Sequence, residues 1–201
     1  MADESAEGRV DQPEPETTPW NIPNALTAFR IVLVPVFAWM LLAHPDETGW
    51  RLMTTLVFTV AILTDSLDGH LARKNNIITK FGKLADPIAD KALTGMAFIG
   101  LSIIGELWWW VTILILVREW GITLMRFVML RYGVMAAGRG GKIKTVLQAV
   151  ALILYLLPLP GWAEPVAWVL MGLAFIVTMV SGLDYVREAV KLRRESTAGR
   201  S

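Results

Sequence analysis

Apolar residues along the chain gather in six blocks, each near the roughly 20 residues a helix needs to span a bilayer. They run at about Leu26–Leu42, Trp50–Ser66, Ile88–Ile104, Leu107–Leu130, Lys144–Leu157 and Trp162–Val186. The fifth is short and is ended by Pro158 and Pro160, and the second is expected to continue as a helix beyond the lipid to about Lys74. Before the first block, Met1–Thr18 carries Asp3, Glu4, Glu7, Asp11, Glu14 and Glu16 with Pro13 and Pro15 and almost nothing large and apolar. Such a stretch cannot bury enough surface to fold, so residues 1–19 read as a disordered acidic tail. Trp20–Asn24 reads as an interfacial entry segment, with Trp at headgroup level and Asn21 or Asn24 available to cap the next helix. Residues 20–190 then form one domain, and 191–201 a basic C-terminal tail. The expected fold class is all-α integral membrane: six transmembrane helices around a polar cavity open to the cytoplasm. No soluble domain and no internal repeat is visible.

Composition strengthens this picture. The chain is 54% hydrophobic with mean hydropathy +0.49, too apolar for an ordinary soluble domain. The net charge of +1 says little, but its distribution says much. Of the 19 Lys and Arg, only Arg51 falls in an outer loop if the N-terminus is cytoplasmic, and Arg30, Lys91, Arg118 and Arg126 fall within spans. All the others lie on the cytoplasmic side, so both termini are expected there, in a multi-pass protein of the cell's inner (plasma) membrane. The acidic N-terminus lacks the basic start of a secretory signal peptide, and none is expected. The absence of cysteine excludes disulfides, thiolate chemistry and cysteine-built zinc sites, and His44 and His70 are too far apart in sequence to suggest a histidine metal cluster. Trp108–Trp110 reads as an aromatic belt, Arg187–Arg194 as a contact for anionic lipid, His70 as an interfacial polar residue, and Gly133, Gly138, Gly140 and Gly141 as a flexible basic loop.

The chemistry concentrates in residues 65–90, DSLDGHLARKNNIITKFGKLADPIAD. Asp65 and Asp68 are three apart and Asp86 and Asp90 four apart, so each pair shares a helix face. The two helices are expected to be antiparallel neighbours on which the four carboxylates converge. Converging carboxylates repel unless a cation sits between them, and hard oxygen donors favour Mg²⁺, Mn²⁺ or Ca²⁺. Two such ions stabilise the attacking and leaving oxygens in phosphoryl chemistry. Gly69 and Ala72 lack bulk and let a phosphate approach the backbone, Arg73 supplies a fork for it, and Gly82 gives a second close approach. Because Asp86 precedes Pro87, the helix is expected to start or kink there. At about 1.5 Å per helical residue, Asp65, Asp90, Arg118 and Arg126 all fall in the inner half of the bilayer or at its cytoplasmic face. Ionisable residues at that depth are functional candidates.

Asp65-x-x-Asp68-Gly69-x-x-Ala72-Arg73, then eight residues, then Gly82-x-x-x-Asp86-x-x-x-Asp90, resembles the signature of the CDP-alcohol phosphotransferases, with every position present. The resemblance implies a transfer in which an acceptor hydroxyl attacks the β-phosphorus of a CDP-activated lipid and CMP leaves. It implies Mg²⁺ or Mn²⁺, two ions, held by Asp65, Asp68, Asp86 and Asp90, with Asp90 also the general base. Asn24, Asp65, Gly69, Ala72, Arg73 and Gly82 would contact the CDP-lipid. Four further segments resemble the bacterial branch of the family that uses glycerol 3-phosphate: Asn21-Ile22-Pro23-Asn24-Ala25-Leu26-Thr27-x-x-Arg30; Arg118-Glu119-Trp120 with Arg126; Gly141-Lys142-Ile143-Lys144-Thr145-x-x-Gln148; and Ser181-Gly182-Leu183-Asp184-Tyr185. The substrates implied are CDP-diacylglycerol, its tails entering sideways from the inner leaflet, and glycerol 3-phosphate. A small dianion needs cations, and Arg118, Arg126, Lys142 and Lys144 are the candidates for its phosphate. The resemblance also implies a homodimer among membrane lipids, and no nucleic-acid partner is expected.

Two other readings stand beside this one. A sibling enzyme using inositol phosphate or phosphatidylglycerol would keep the same aspartates. A cation transporter would use them as a transport site, although no symmetric pair of broken helices is visible.

Overall fold

A computed structural model describes the backbone of residues 22–75, 80–129 and 139–198, and within these the side chains of 28–64, 91–125, 128 and 141–192. Among the described residues there are six helices and no strand: α1 (Ile22–Ala43), α2 (Thr48–Asn75), α3 (Lys80–Ile103), α4 (Trp109–Met129), α5 (Arg139–Leu156) and α6 (Glu164–Ala198). The six apolar blocks correspond to these helices one by one. α1 packs on α2 and α3, α4 on α3 and α6, and α5 on α6, α2 and α3, while α2 and α3 touch only sparingly among the described residues.

Several bounds differ from expectation. α3 begins at Lys80, so Pro87 lies inside it rather than opening it. The missing N–H forgoes only one helical bond, and the rest of the helix continues across it. α5 begins at Arg139, which makes Gly140 and Gly141 part of a helix and not of a loop. Gly141 has a packing reason to be there, since a Cβ would stand 3.2 Å from the Tyr185 hydroxyl on α6. α1 begins at Ile22, so Asn24 sits within its first turn instead of capping it. α6 runs on to Ala198. The acidic tail and the positions of Trp20 and Asn21 lie outside the described residues.

The core is built from Phe37 and Leu41 of α1, Phe58 of α2, Leu93, Phe98 and Leu101 of α3, Ile115 of α4, and Leu152 and Leu156 of α5. α1 and α3 approach closely where Gly100 offers no side chain: a Cβ there would fall 2.5 Å from Leu41 Cδ2, a group with no free surface. The outward faces carry the opposite of a soluble surface. Val32, Leu56, Val60, Leu63, Val117, Leu124, Val146 and Val169 are all exposed. Contiguous apolar surface of this extent marks a lipid-facing wall or an association surface. Among the described residues, Glu164–Leu192 is the one segment long and apolar enough to cross a membrane. The polar side chains of α2 satisfy themselves: the hydroxyls of Thr54, Thr55, Thr59 and Thr64 each donate to the carbonyl four residues earlier.

One end of the bundle is fastened by Arg51. It was expected in an outer loop; it lies instead in the first turn of α2, only 6% exposed. Its Nε donates to the Leu156 carbonyl at 3.0 Å and its Nη2 to that of Tyr155 at 2.6 Å, capping the C-terminus of α5. Its Nη1 reaches the Pro45 carbonyl at 3.2 Å, and the guanidinium forks onto both carboxylate oxygens of Glu106. Glu106 is delivered there by the turn that ends α3. Gly105 has φ +83°, Glu106 N–H bonds the Leu101 carbonyl at 3.0 Å and Gly105 N–H that of Ser102 at 3.3 Å, the paired bonds of a Schellman cap. One side chain thus ties the α1–α2, α3–α4 and α5–α6 connections together. Tryptophans crowd the same end: Trp39 and Trp50 meet edge to face at 5.4 Å, His44 stacks on Trp50 at 4.4 Å, and Trp108, Trp109, Trp110, Trp162 and Trp168 are exposed around it. The tryptophan cluster at this end is therefore wider than Trp108–Trp110.

Candidate active site

The site grows from two adjacent residues of α4 whose side chains diverge by about 100° around the helix. Arg118 is directed to α6. Its Nη2 donates to Ser181 Oγ at 2.8 Å, and its aliphatic stem crosses Gly182, where a Cβ would fall 3.0 Å from both Cγ and Nε. Arg118 Nε is buried without an acceptor among the described residues. Glu119 faces α3 and α5. Its Oε1 accepts Arg118 Nη1 at 3.0 Å and Lys144 Nζ, from α5, at 2.5 Å. Its backbone carbonyl accepts Lys91 Nζ from α3 at 2.9 Å and Thr123 Oγ1 at 2.9 Å. Lys91 also lies over the Trp120 ring, 5.8 Å from its centroid, a cation–π contact.

A polar chain extends the cluster. Gln148 Nε2 on α5 donates to Thr178 Oγ1 on α6 at 2.9 Å, and Thr178 donates to the Ala174 carbonyl at 2.6 Å. Ser181 Oγ donates to the Thr178 carbonyl at 3.1 Å while accepting from Arg118. Four helices are thereby joined through side chains that would be costly to bury singly.

Beside the cluster opens a cavity of about 240 Å³ lined by Lys91, Glu119, Trp120, Lys144 and Gln148, with Ile62 from α2 on its wall. That is more than ten times the roughly 10–15 Å³ a single water needs. Ile62 precedes Asp65 by one helical turn, and Lys91 follows Asp90 directly. The cavity is therefore bracketed by the aspartate-bearing stretches of α2 and α3.

The site residues expected from sequence divide into three groups. Arg118 and Lys144 are brought together, through Glu119. Lys142 is not: two positions earlier on α5, it lies on the exposed face. The side chains of Asn24, Asp65, Asp68, Gly69, Ala72, Arg73, Gly82, Asp86, Asp90 and Arg126 lie outside the described residues, although their backbones lie within α1, α2, α3 and α4. Asp65 and Asp68 share α2; Asp86 and Asp90 share α3. Glu119, Lys91 and Ser181 were given no role by the sequence. Glu119 and Lys91 had a usable signal, being ionisable residues inside apolar blocks; Glu119 and Ser181 also stand in the Arg118-Glu119-Trp120 and Ser181–Tyr185 segments that carry the family resemblance.

A family model described as CDP-alcohol phosphatidyltransferase matches residues 20–180. A Mycobacterium tuberculosis protein named "Probable phosphatidylglycerophosphate synthase" is 46% identical over 172 residues, covering 85% of this chain and 82% of its own length. Two proteins named CDP-diacylglycerol–glycerol-3-phosphate 3-phosphatidyltransferase are also similar. That of Bacillus subtilis is 38% identical over 83% of this chain and 93% of its own, and that of Shigella flexneri 37% identical over 85% and 95%.

Proposed function

We infer the reaction from a family premise: the chain belongs to the CDP-alcohol phosphatidyltransferases. It is an enzyme of that class, which sets the transporter reading aside. The reaction proposed is transfer of the phosphatidyl group of CDP-diacylglycerol to glycerol 3-phosphate, giving phosphatidylglycerol phosphate and CMP. What carries this reading is near full-length similarity to relatives named for that reaction. The convergence of Arg118 and Lys144 beside a cavity supports it, because a phosphorylated acceptor needs cations to hold its phosphate.

The family depends on a divalent metal, and four carboxylates at helical spacing are the hard donor set that Mg²⁺ or Mn²⁺ takes. Asp65, Asp68, Asp86 and Asp90 would hold it, as two ions. When bound, the metal offsets the charge of the pyrophosphate. The chain's own residues do the rest. Asn24, Gly69, Ala72, Arg73 and Gly82 seat the CDP moiety. Arg118 and Lys144, with Arg126 and Lys142 flanking, hold the acceptor phosphate. Asp90 takes the proton of the acceptor hydroxyl as its oxygen forms a bond to the β-phosphorus, and the bond from that phosphorus to the CMP oxygen breaks.

We place the six helices across the membrane, with the tryptophan-rich, Arg51-fastened end outside and the aspartates toward the cytoplasm. The exposed apolar walls and the one-sided distribution of Lys and Arg support this orientation. A homodimer packed through those walls fits the same surface.

The test is purified enzyme with labelled CDP-diacylglycerol and Mg²⁺ or Mn²⁺, offered glycerol 3-phosphate, inositol phosphate or phosphatidylglycerol. Lipid product is expected with glycerol 3-phosphate alone. Product only with another acceptor overturns the acceptor assignment and leaves the family intact. Gly182→Ala makes the Arg118 stem give by a few tenths of an ångström and strains its 2.8 Å bond to Ser181, at most to the point of losing it. Loss of one such bond is worth about 1 kcal/mol, so the KM for glycerol 3-phosphate should rise by up to roughly fivefold, with that for CDP-diacylglycerol unchanged.

A further inference from the structure

We propose that Glu119 is the positioning residue of the acceptor-phosphate clamp: its carboxylate sets Arg118 and Lys144 where both reach a single anionic oxygen. The proposal rests on the phosphatidyl-transfer reading of the site. Glu119 Oε1 alone takes both cations, Arg118 at 3.0 Å and Lys144 at 2.5 Å, from two different helices. Cations arranged around one carboxylate oxygen are arranged to be shared with a phosphate oxygen, which has the same charge type and the same demand for short N–H···O bonds. Without an anion between them, two cationic side chains this close in a medium of low dielectric repel and move apart.

The carboxylate is itself held in place. The Glu119 carbonyl is pinned by Lys91 and Thr123, and Arg118 is braced on its other side by Ser181 and the Gly182 backbone. Lys144 is mostly buried and Glu119 nearly so, which limits the water available to either if the partner is lost. Glu119 and Lys144 both line the cavity. Glu119 therefore acts on the acceptor through its neighbours, and it is a positioning and not a catalytic residue.

Glu119→Gln tests this, because it keeps shape and hydrogen bonding and removes the charge. Steady-state kinetics would be measured separately for glycerol 3-phosphate and CDP-diacylglycerol, together with the thermal midpoint in detergent. The expected result is a rise of about tenfold in the KM for glycerol 3-phosphate. The KM for CDP-diacylglycerol and kcat should stay within about twofold of wild type. In a Lys144→Gln background, Glu119→Gln should add less than about a further twofold, the signature of one residue acting through another. Glu119→Asp keeps the charge at shorter reach and should fall between; it carries the test if the Gln variant does not fold. An unchanged acceptor KM, a parallel loss of both KM values and thermal midpoint, or effects that multiply in the double variant would each overturn the proposal. Wild type that makes no lipid product from glycerol 3-phosphate would instead sink the reaction itself.

Discussion

Asp90→Asn should lower kcat by about 10²–10⁴-fold, the range expected when a positioned general base is removed. Asn is nearly isosteric and cannot accept the hydroxyl proton. It also withdraws one charge from the proposed metal set, which moves the expectation toward the upper end. Asp90 is the proposed base among the four. It directly precedes Lys91, which lines the cavity and bonds the Glu119 carbonyl, so its backbone stands at the border between the aspartate stretch and the acceptor clamp. CMP release with wild type and Asp90→Asn side by side checks the prediction. The thermal midpoint should hold within a few degrees, because Asn keeps the shape and size of the side chain it replaces. A variant retaining more than about a tenth of wild-type turnover would remove Asp90 from the base role and leave only its possible place among the metal carboxylates.

The second large effect is on stability. Arg51→Met should lower the thermal midpoint in detergent by about 5–10 °C. The substitution strips hydrogen bonds from the carbonyls of Pro45, Tyr155 and Leu156 and removes the partner of Glu106. Breaking a fully buried ion pair from one side costs about 3–5 kcal/mol. The Glu106 side chain keeps 37% of its exposure and can rehydrate, so about 2–3 kcal/mol is expected here. For a chain of this size each kcal/mol moves the midpoint about 2–4 °C. Arg51→Lys should fall between, because an ammonium keeps the charge but not the fork that serves two oxygens and three carbonyls. The acceptor KM should stay near wild type in both variants, since the clasp grips α5 at Tyr155 and Leu156, about 17 Å along that helix from Lys144. A midpoint within about 2 °C for Arg51→Met would show that the clasp contributes little.

Most of the fold was legible because long apolar blocks have few alternatives. All six helices, and the continuation of the second to about Lys74, follow from block length and composition. What was not legible depended on pairing across the fold. Arg51 was read as a loop cation because one-dimensional charge counting cannot see three carbonyls and a carboxylate arriving from other helices. Pro87 offers either a helix start or a kink in sequence, and only the helix running from Lys80 through it removes the first. The near-identical sequence neighbourhoods of Lys142 and Lys144 hid a difference of about 200° around α5, which exposes one and buries the other. Glu119 shows the limit most clearly. Its neighbour Arg118 invited a phosphate role by charge, while an acid in the same place contradicts a simple cationic clamp until the geometry reveals it as the group around which the cations are arranged.

The Arg51 clasp has a directional consequence. A protein that moves cargo across a bilayer must part its helices at each face in turn, and here one end of the bundle is riveted: three alternate connections share a single guanidinium with no donor to spare. On the proposed placement across the membrane, that end of the bundle is closed. On the proposed reaction, glycerol 3-phosphate and nucleotide would then come and go at the opposite end, while the lipid moves sideways between helices. The lipid made here is thus expected to remain in the leaflet that supplied its precursor, and its appearance in the opposite leaflet becomes the task of a separate protein.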